Sequence, residues 1–302
     1  MKRVLSDRLD VHDLGAIKTF LSIDCTETNL YFRLSQNRYI ERLVKEFNQE
    51  TAAPTNRLPL IDTQVKIDGK TRPDVPYREL VGALNYIANW TRPDISAVVS
   101  HLSRAFQAPT STHWEYAKQV LRYLNTTKDE DLWLGKLDDS SLIAFSDANH
   151  APADSCRKSQ SGGVMRLFGS TVGWFSRKQK TANKSTTASE YVALSAVVDE
   201  VLWLQQLLNE LNLSIEYPTK VFEDCQPAIA IVKNRKGSVE SKHIDVKYHS
   251  IKDYQAKGYI NVEYINTAAQ LADDLTKVKR IPRDTDILLG HRQWCPESGG
   301  VL

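Results

Sequence analysis

Four acids stand where a carboxylate is costly to bury: Asp147, Glu190, Asp224 and Asp273. Asp147 follows the apolar run Leu142 to Phe145, and because side chains alternate along a strand it falls on the face of Ile143 and Phe145. Glu190 extends by one turn the stripe Leu194, Val197, Val201, Leu204, Leu208 and Leu211 of a helix expected over about 187–211. Asp224 ends an apolar strand that begins at Lys220. Asp273 lies just beyond Leu271, in a helix that Thr267 and Gln270 would open as a capping box. Each acid alone has a structural reading, as a turn cap or as a charge at a helix N-terminus. Together they would repel one another without cations. Two Mg²⁺ ions bridging them would relieve that repulsion and create a site for in-line phosphoryl chemistry, one ion activating water and the other stabilising the leaving oxygen.

The elements that must position these acids read, from about Asp131 to Lys277, as strand, strand, strand, helix, strand, helix, strand, helix. Strands are expected at Leu142 to Phe145, Gly162 to Phe168, Thr171 to Ser176, Lys220 to Asp224 and Tyr259 to Ile265, with a long helix from Ile244 to Lys257. Basic residues cluster at Arg157 and Lys158, and again at Arg177, Lys178, Lys180 and Lys184 beside Trp174 and Phe175. Such a composition suits a phosphate backbone and equally a solvated hairpin tip.

The first half carries no comparable acids. Lys18 to Asp24 and Leu30 to Leu34 read as a hairpin, followed by a helix with Ile40, Leu43, Val44 and Phe47 at helical spacing. A polar linker spans Thr51 to Pro76. Three helices follow, at Leu80 to Ala88, around Ile95 to Leu102, and from about Thr112 to Leu124, the third with Lys118 and Arg122 on another side. They make either a plain bundle or a surface that grips a duplex.

Over 302 residues, 41% hydrophobic and 25% charged, the chain has the composition of a globular protein of two ordinary domains. A net charge of +2 is too small to argue for nucleic acid by itself. Cys25, Cys156, Cys225 and Cys295 form no CxxC pair, so free thiols in a reducing compartment are expected. No signal-peptide core stands at the N-terminus, and no apolar run approaches the ~20 residues of a membrane span. The expectation is an intracellular protein, cytoplasmic or nuclear, with no membrane partner.

At these residues the sequence resembles the C-terminal part of copia-type LTR retrotransposon pol polyproteins. The ribonuclease H pieces are Phe145 to Ala148; Arg157, Lys158 and Ser159 with Ser161 and Gly162; Ser185 to Thr187 with Glu190 and Tyr191; Asp224 with Gln226; Lys242 to Asp245; and Gln270 to Asp273 with Leu275 to Lys277. Asp13 to Lys18 with Phe20 resembles the end of a reverse transcriptase palm, and Tyr77 to Tyr86, Arg92 to Ile95 and Leu121 to Leu124 resemble the thumb and connection. The resemblance implies an α/β fold: a ribonuclease H-like mixed five-stranded sheet with flanking helices, preceded by a partial palm hairpin and a helical thumb. The implied division is 1–60 palm remnant, 61–130 thumb and connection, 131–277 ribonuclease H-like domain and 278–302 disordered tail.

Carried over residue by residue, the family's metal-binding and catalytic acids are Asp147, Glu190, Asp224 and Asp273. Substrate contacts would come from Arg157, Lys158, Ser159, Arg177, Lys178, Lys180 and His243. The implied activity is endonucleolytic hydrolysis of the RNA strand of an RNA–DNA hybrid by two Mg²⁺ ions, Mn²⁺ able to substitute, with 5′-phosphate and 3′-hydroxyl products. The alternative is an inactive retroelement remnant that only binds nucleic acid. The polymerase's own aspartate pair belongs upstream of the hairpin, so no polymerase activity is expected of this chain alone, and the rest of a retroelement polymerase is a candidate partner. The sequence departs from the family at Ser22, where the palm hairpin has Gly, at Ala188, at Asn149 and His150, at Asp274, and from Val278 onward.

Overall fold

In the computed structural model, residues 12, 15–61, 70–72, 74–135, 141–150, 158–183, 185–233, 245–279 and 281–294 are described. Arg157, Lys184, His243, Cys156 and Cys295 lie outside them. The described residues begin with three short strands, β1 (Thr19–Phe20), β2 (Ile23–Glu27) and β3 (Tyr31–Ser35), followed by α1 (Asn37–Glu46). The hairpin differs from the expectation: β2 rather than the stretch from Lys18 pairs with β3, with Cys25 opposite Leu34. The chain reverses between β1 and β2 at Leu21 and Ser22, whose φ angles of 48° and 63° are left-handed. That is the position at which Ser22 replaces the family's Gly, so the departure places a β-carbon in a backbone region that favours glycine.

Next come α2 (Tyr77–Trp90), a 3-10 turn (Pro93–Ile95), α3 (Ser96–Leu102) and α4 (Ser111–Thr126). These helices and α1 share one core, which includes Ile40, Leu43, Leu80, Leu84, Ile87, Leu102, Leu121 and Leu124. Leu58 and Ile61 are buried in it too, so the stretch read as linker contributes to the core. Inside it, the buried Arg92 donates to both carboxylate oxygens of Asp94, and Tyr123 donates to Asp94 Oδ2 at 2.8 Å.

The chain then forms β4 (Leu132–Gly135), β5 (Leu142–Asn149), β6 (Gln160–Leu167), β7 (Ser170–Lys178), α5 (Thr186–Glu210), β8 (Thr219–Glu223), α6 (Gln226–Lys233), α7 (Asp245–Ala256), β9 (Ile260–Tyr264), α8 (Asp273–Thr276) and α9 (Thr285–Leu288). Five of the strands make a mixed sheet in the order β7-β6-β5-β8-β9. β5, β6 and β7 are antiparallel neighbours, while β8 and β9 run parallel to β5. This is the mixed five-stranded α/β sheet with flanking helices expected for a ribonuclease H-like fold. β4, inside the stretch 131–277 expected to form that domain, pairs with β3 and completes the sheet β1-β2-β3-β4.

The two faces of the five-stranded sheet carry separate cores. Leu142 and Ala144 face α5 through Tyr191, Leu194, Val197 and Val201. Phe145 and Val164 face the other way, onto Leu271, Leu275, Ile287 and Leu288. By length and composition α5 is apolar enough to cross a membrane, contrary to the sequence expectation, but its inner face is buried against this sheet. Leu211, read as the end of its stripe, caps the helix and is exposed.

Residues 281–294 of the stretch expected to be a disordered tail are folded, and 295–302 lie outside the described residues. Ile287, Leu288 and Leu289 are buried, Arg166 Nη1 donates to Ile287 O at 3.0 Å, and the Trp294 ring lies 5.0 Å from that of Phe145. Burial of these apolar side chains against the sheet holds a segment that local sequence alone does not order. The two halves also meet through polar contacts: Gln160 Nε2 donates to Ser100 Oγ at 2.9 Å, Arg104 donates to Gln160 Oε1 at 2.5 Å, and Trp174 Nε1 donates to Ala88 O at 2.7 Å.

Candidate metal centre

Alternation along β5 holds. Ile143 and Phe145 belong to one core, and Asp147 follows on their face at the end of the strand, 4% exposed. Opposite it in register stands Gly162 of β6. A β-carbon there would come within 2.8 Å of Ala272 O and of Thr276 Cγ2, so the glycine is what lets α8 sit directly on the sheet. From that position Thr276 Oγ1 donates to Asp147 Oδ2.

Glu190 arrives from the other face. Ser185 caps α5, its hydroxyl accepting from Ala188 N at 3.2 Å, and the helix passes the strand end with Glu190 turned inward. The backbone N–H of Ala148 donates to the Glu190 carboxylate, but Oε2 is buried without a hydrogen-bond partner. Asp224 comes directly after β8 and accepts from Thr267 Oγ1 at 2.6 Å. Asn266 rather than Thr267 caps the following 3-10 turn (Thr267–Ala269), so the expected capping box is not formed. Gln270 instead reaches under the strand ends, donating from Nε2 to Ser146 O at 2.9 Å.

Asp147, Glu190 and Asp224 thus offer carboxylate oxygens all within 4.8 Å of one another. Burial pushes the Asp147 carboxyl up to about 6, the Thr276 hydroxyl opposing. Burial, and then the charges of Asp147 and Asp224, push Glu190 well above the usual carboxylate range. Hard oxygen donors, one of them a buried orphan, in a site where negative charge is disfavoured without a counter-charge, fit a divalent cation.

Asp273 stands apart from that trio. Its carboxylate accepts from Lys277 and, at 2.6 Å, from Lys279, and although burial opposes them these hydrogen bonds hold it below the usual range. Its negative charge still acts on Asp147. Asp274, a departure from the family pattern, is buried and structural: it accepts from Lys279 Nζ at 2.6 Å and from the backbone N–H of Asp284 at 2.7 Å.

Sequence reasoning missed Glu223. It is fully buried, with Oε1 accepting from Cys225 N at 3.1 Å and Oε2 unpartnered. Burial first, and the charge of Glu190 second, raise its pKa. Strand alternation was the available signal, since Val221 faces α5 and Glu223 two residues on shares that face.

Among the expected substrate contacts, Lys158 and Lys180 are exposed. Arg177 is exposed as well, 4.7 Å over the Phe175 ring and 3.3 Å from Glu200. Arg177 pairs with Ser161, which pairs with Ala148, so this basic cluster lies at the carboxylate end of the sheet. Two inter-strand spacings separate β7 from β5, about 10 Å. Ser159 is buried rather than presented to a ligand: its hydroxyl lies 2.9 Å from Ser189 Oγ and 3.5 Å from His150 Nδ1.

Fold and centre together define an α/β protein with a buried acidic cluster able to take a metal ion, joined to a helical bundle. The chain belongs to the retrovirus-related Pol proteins of copia-type LTR retrotransposons. It is 33% identical to the Pol polyprotein from transposon RE2 of Arabidopsis thaliana over 99% of its length, and 36% identical to that from transposon TNT 1-94 of Nicotiana tabacum over 94%. A transposon Ty5-1 protein of Saccharomyces cerevisiae is 33% identical over 67% of each chain. The chain spans about a fifth of the two plant polyproteins, 21% and 22%. No protein-family model matches it. Among solved structures, LC11-RNase H1 is similar at 17% identity, covering 45% of this chain and 92% of its own with a TM-score of 0.35. A foamy viral protease-reverse transcriptase covers 80% of this chain at a TM-score of 0.26. Both superpositions are weak.

Proposed function

We propose that this chain is a ribonuclease H-type endonuclease segment of a retroelement Pol protein, hydrolysing the RNA strand of RNA–DNA hybrids at two Mg²⁺ ions, with Mn²⁺ able to substitute. The observation that carries the reading is the convergence of Asp147, Glu190 and Asp224 around the orphaned Glu190 Oε2. When bound, the cations would supply an activated water and stabilisation of the leaving oxygen.

The chain's own residues do the rest. Asp147, Glu190 and Asp224 would hold the ions. Thr276 orients Asp147, and Gln270 ties down the end of β5 beside it. Asp273, with Lys277 and Lys279, balances charge at the edge of the cluster and would complete the ligand set if Lys277 swings away. Lys158, Arg177, Lys178 and Lys180 would contact the phosphate backbone. Arg157 and His243 are proposed contacts of the same kind. An intracellular setting and association with the remainder of a Pol polyprotein belong to the same reading.

The test is cleavage of an end-labelled hybrid. Wild type should cut the RNA strand in Mg²⁺ and leave 3′-hydroxyl ends, while Asp147→Asn falls to background. Equal cleavage by both sinks the proposal. Hybrid binding without turnover in either metal would replace it with a binding-only remnant.

A further inference from the structure

A second group of ligating side chains lies away from the acidic cluster. Glu130, just before β4, Asp286 in α9 and His291 beyond it each offer one ligand atom, all within 4.8 Å of one another. The hydrogen bonding of His291 decides what its ring presents. Nε2 lies 2.7 Å from Asp131 O, and a carbonyl only accepts, so Nε2 carries the hydrogen. In the neutral ring Nδ1 is then the lone-pair nitrogen, and it faces Glu130 Oε2 at 3.2 Å. Two acceptors facing each other at that distance need a cation between them. Arg292 does not supply it: its guanidinium comes only to 3.8 Å of Asp286 and contacts neither of the other two groups.

Two candidates remain, a proton on Nδ1 or a metal ion, and three features favour the ion. Zinc takes histidine nitrogen and carboxylate oxygen at about 2.0–2.2 Å, which puts neighbouring ligand atoms of a tetrahedral ion about 3.3 Å apart. The Nδ1 to Oε2 distance matches. A backbone carbonyl holding the other ring N–H is the arrangement that orients a ligating histidine. The ring is also fixed against Trp133, with centroids 4.5 Å apart. A proton would satisfy His291 and Glu130 only, whereas an ion would also take Asp286, which the backbone bonds from His291 N and Arg292 N to Asp286 O hold beside the ring.

We propose that Glu130, Asp286 and His291 form a zinc site that staples the segment after α8 to β4. The staple would sit on an existing junction. Trp133 N donates to Leu289 O at 2.8 Å, and Gly290, at φ 80°, packs against Trp133 O where a β-carbon would collide. One ion would thereby tie the edge strand of the first sheet to the chain end that covers the second.

The experiment is zinc titration calorimetry on the full chain carrying Asp147→Asn, which weakens the acidic cluster as a competitor. One equivalent of Zn²⁺ should bind and raise the Tm. Adding His291→Ala or Glu130→Gln should weaken binding at least tenfold and abolish the Tm shift. If His291→Ala does not fold, Asp286→Asn, at an exposed side chain, must give the same loss. No zinc uptake by the parent, or undiminished uptake in the foldable variants, overturns the proposal.

Discussion

Thr276 hands its hydroxyl hydrogen to Asp147 across the junction of α8 and β5, 129 residues apart in the chain. A hydrogen bond to a buried carboxylate contributes about 1.5–3 kcal/mol. Thr276→Val removes it while keeping shape. The ionised form of Asp147 then loses support, so its pKa should rise further above about 6. The midpoint of the carboxyl's titration in the metal-free protein, followed by NMR, should move up with it. An unmoved midpoint would show that the hydroxyl does not act on this carboxyl.

Asp147 also sets the stability of the metal-free protein. Its carboxyl titrates near 3.8 when unfolded and near 6 when folded, so the folded state holds the proton more tightly. This group's contribution to stability is therefore fullest below about 3.8 and is lost as pH rises from there through about 6, at most by about 3 kcal/mol. Near neutral pH with chelator, Asp147→Asn should melt above wild type. Added Mg²⁺ should close or reverse the gap. Thermal scans with and without metal read both, and a wild type already the more stable in chelator would contradict this.

Gly162→Ala should fail for a steric reason. The new methyl would meet Ala272 O and Thr276 Cγ2 at 2.8 Å and lift α8 from the sheet. Overpacking of this kind costs about 1–3 kcal/mol. Cleavage should fall more than stability does, because Thr276 moves away from Asp147. Urea unfolding alongside turnover separates the two.

Ser22→Gly should stabilise. Ser22 sits at φ 63° in the tight reversal between β1 and β2. A left-handed conformation costs an ordinary residue about 1–2 kcal/mol, partly offset by the greater chain entropy of glycine, leaving a gain of about 0.5–1 kcal/mol. Denaturant midpoints decide it, and a lower midpoint for the variant would refute the strain.

Ending the chain after Lys279 should destabilise the second domain, although these residues carry none of the acids in the cluster. Ile287, Leu288 and Leu289 would leave the core, each worth about 1.5–3 kcal/mol if fully exposed. Phe145 and Phe222 would lose the Trp294 ring. Dye binding to newly exposed apolar surface, together with a lower Tm, is the expected outcome.

What sequence alone determined was the direction of two of the acids relative to their own elements. The two-residue repeat put Asp147 on the face of Phe145, and the helical repeat put Glu190 on the stripe of Leu194. The local motifs also carried the family resemblance. Which carboxylates meet was decided by tertiary structure, because distances between elements depend on strand register and helix packing. Only there did Asp147, Glu190 and Asp224 come together, with Asp273 drawn off by two lysines whose reach from residues 277 and 279 no periodicity encodes. The same holds for β4, whose four residues pair with β3 of the other sheet, and for the segment to Trp294, ordered only by the apolar face it covers. Short segments carry too little local preference to choose a partner, so long-range burial chooses for them.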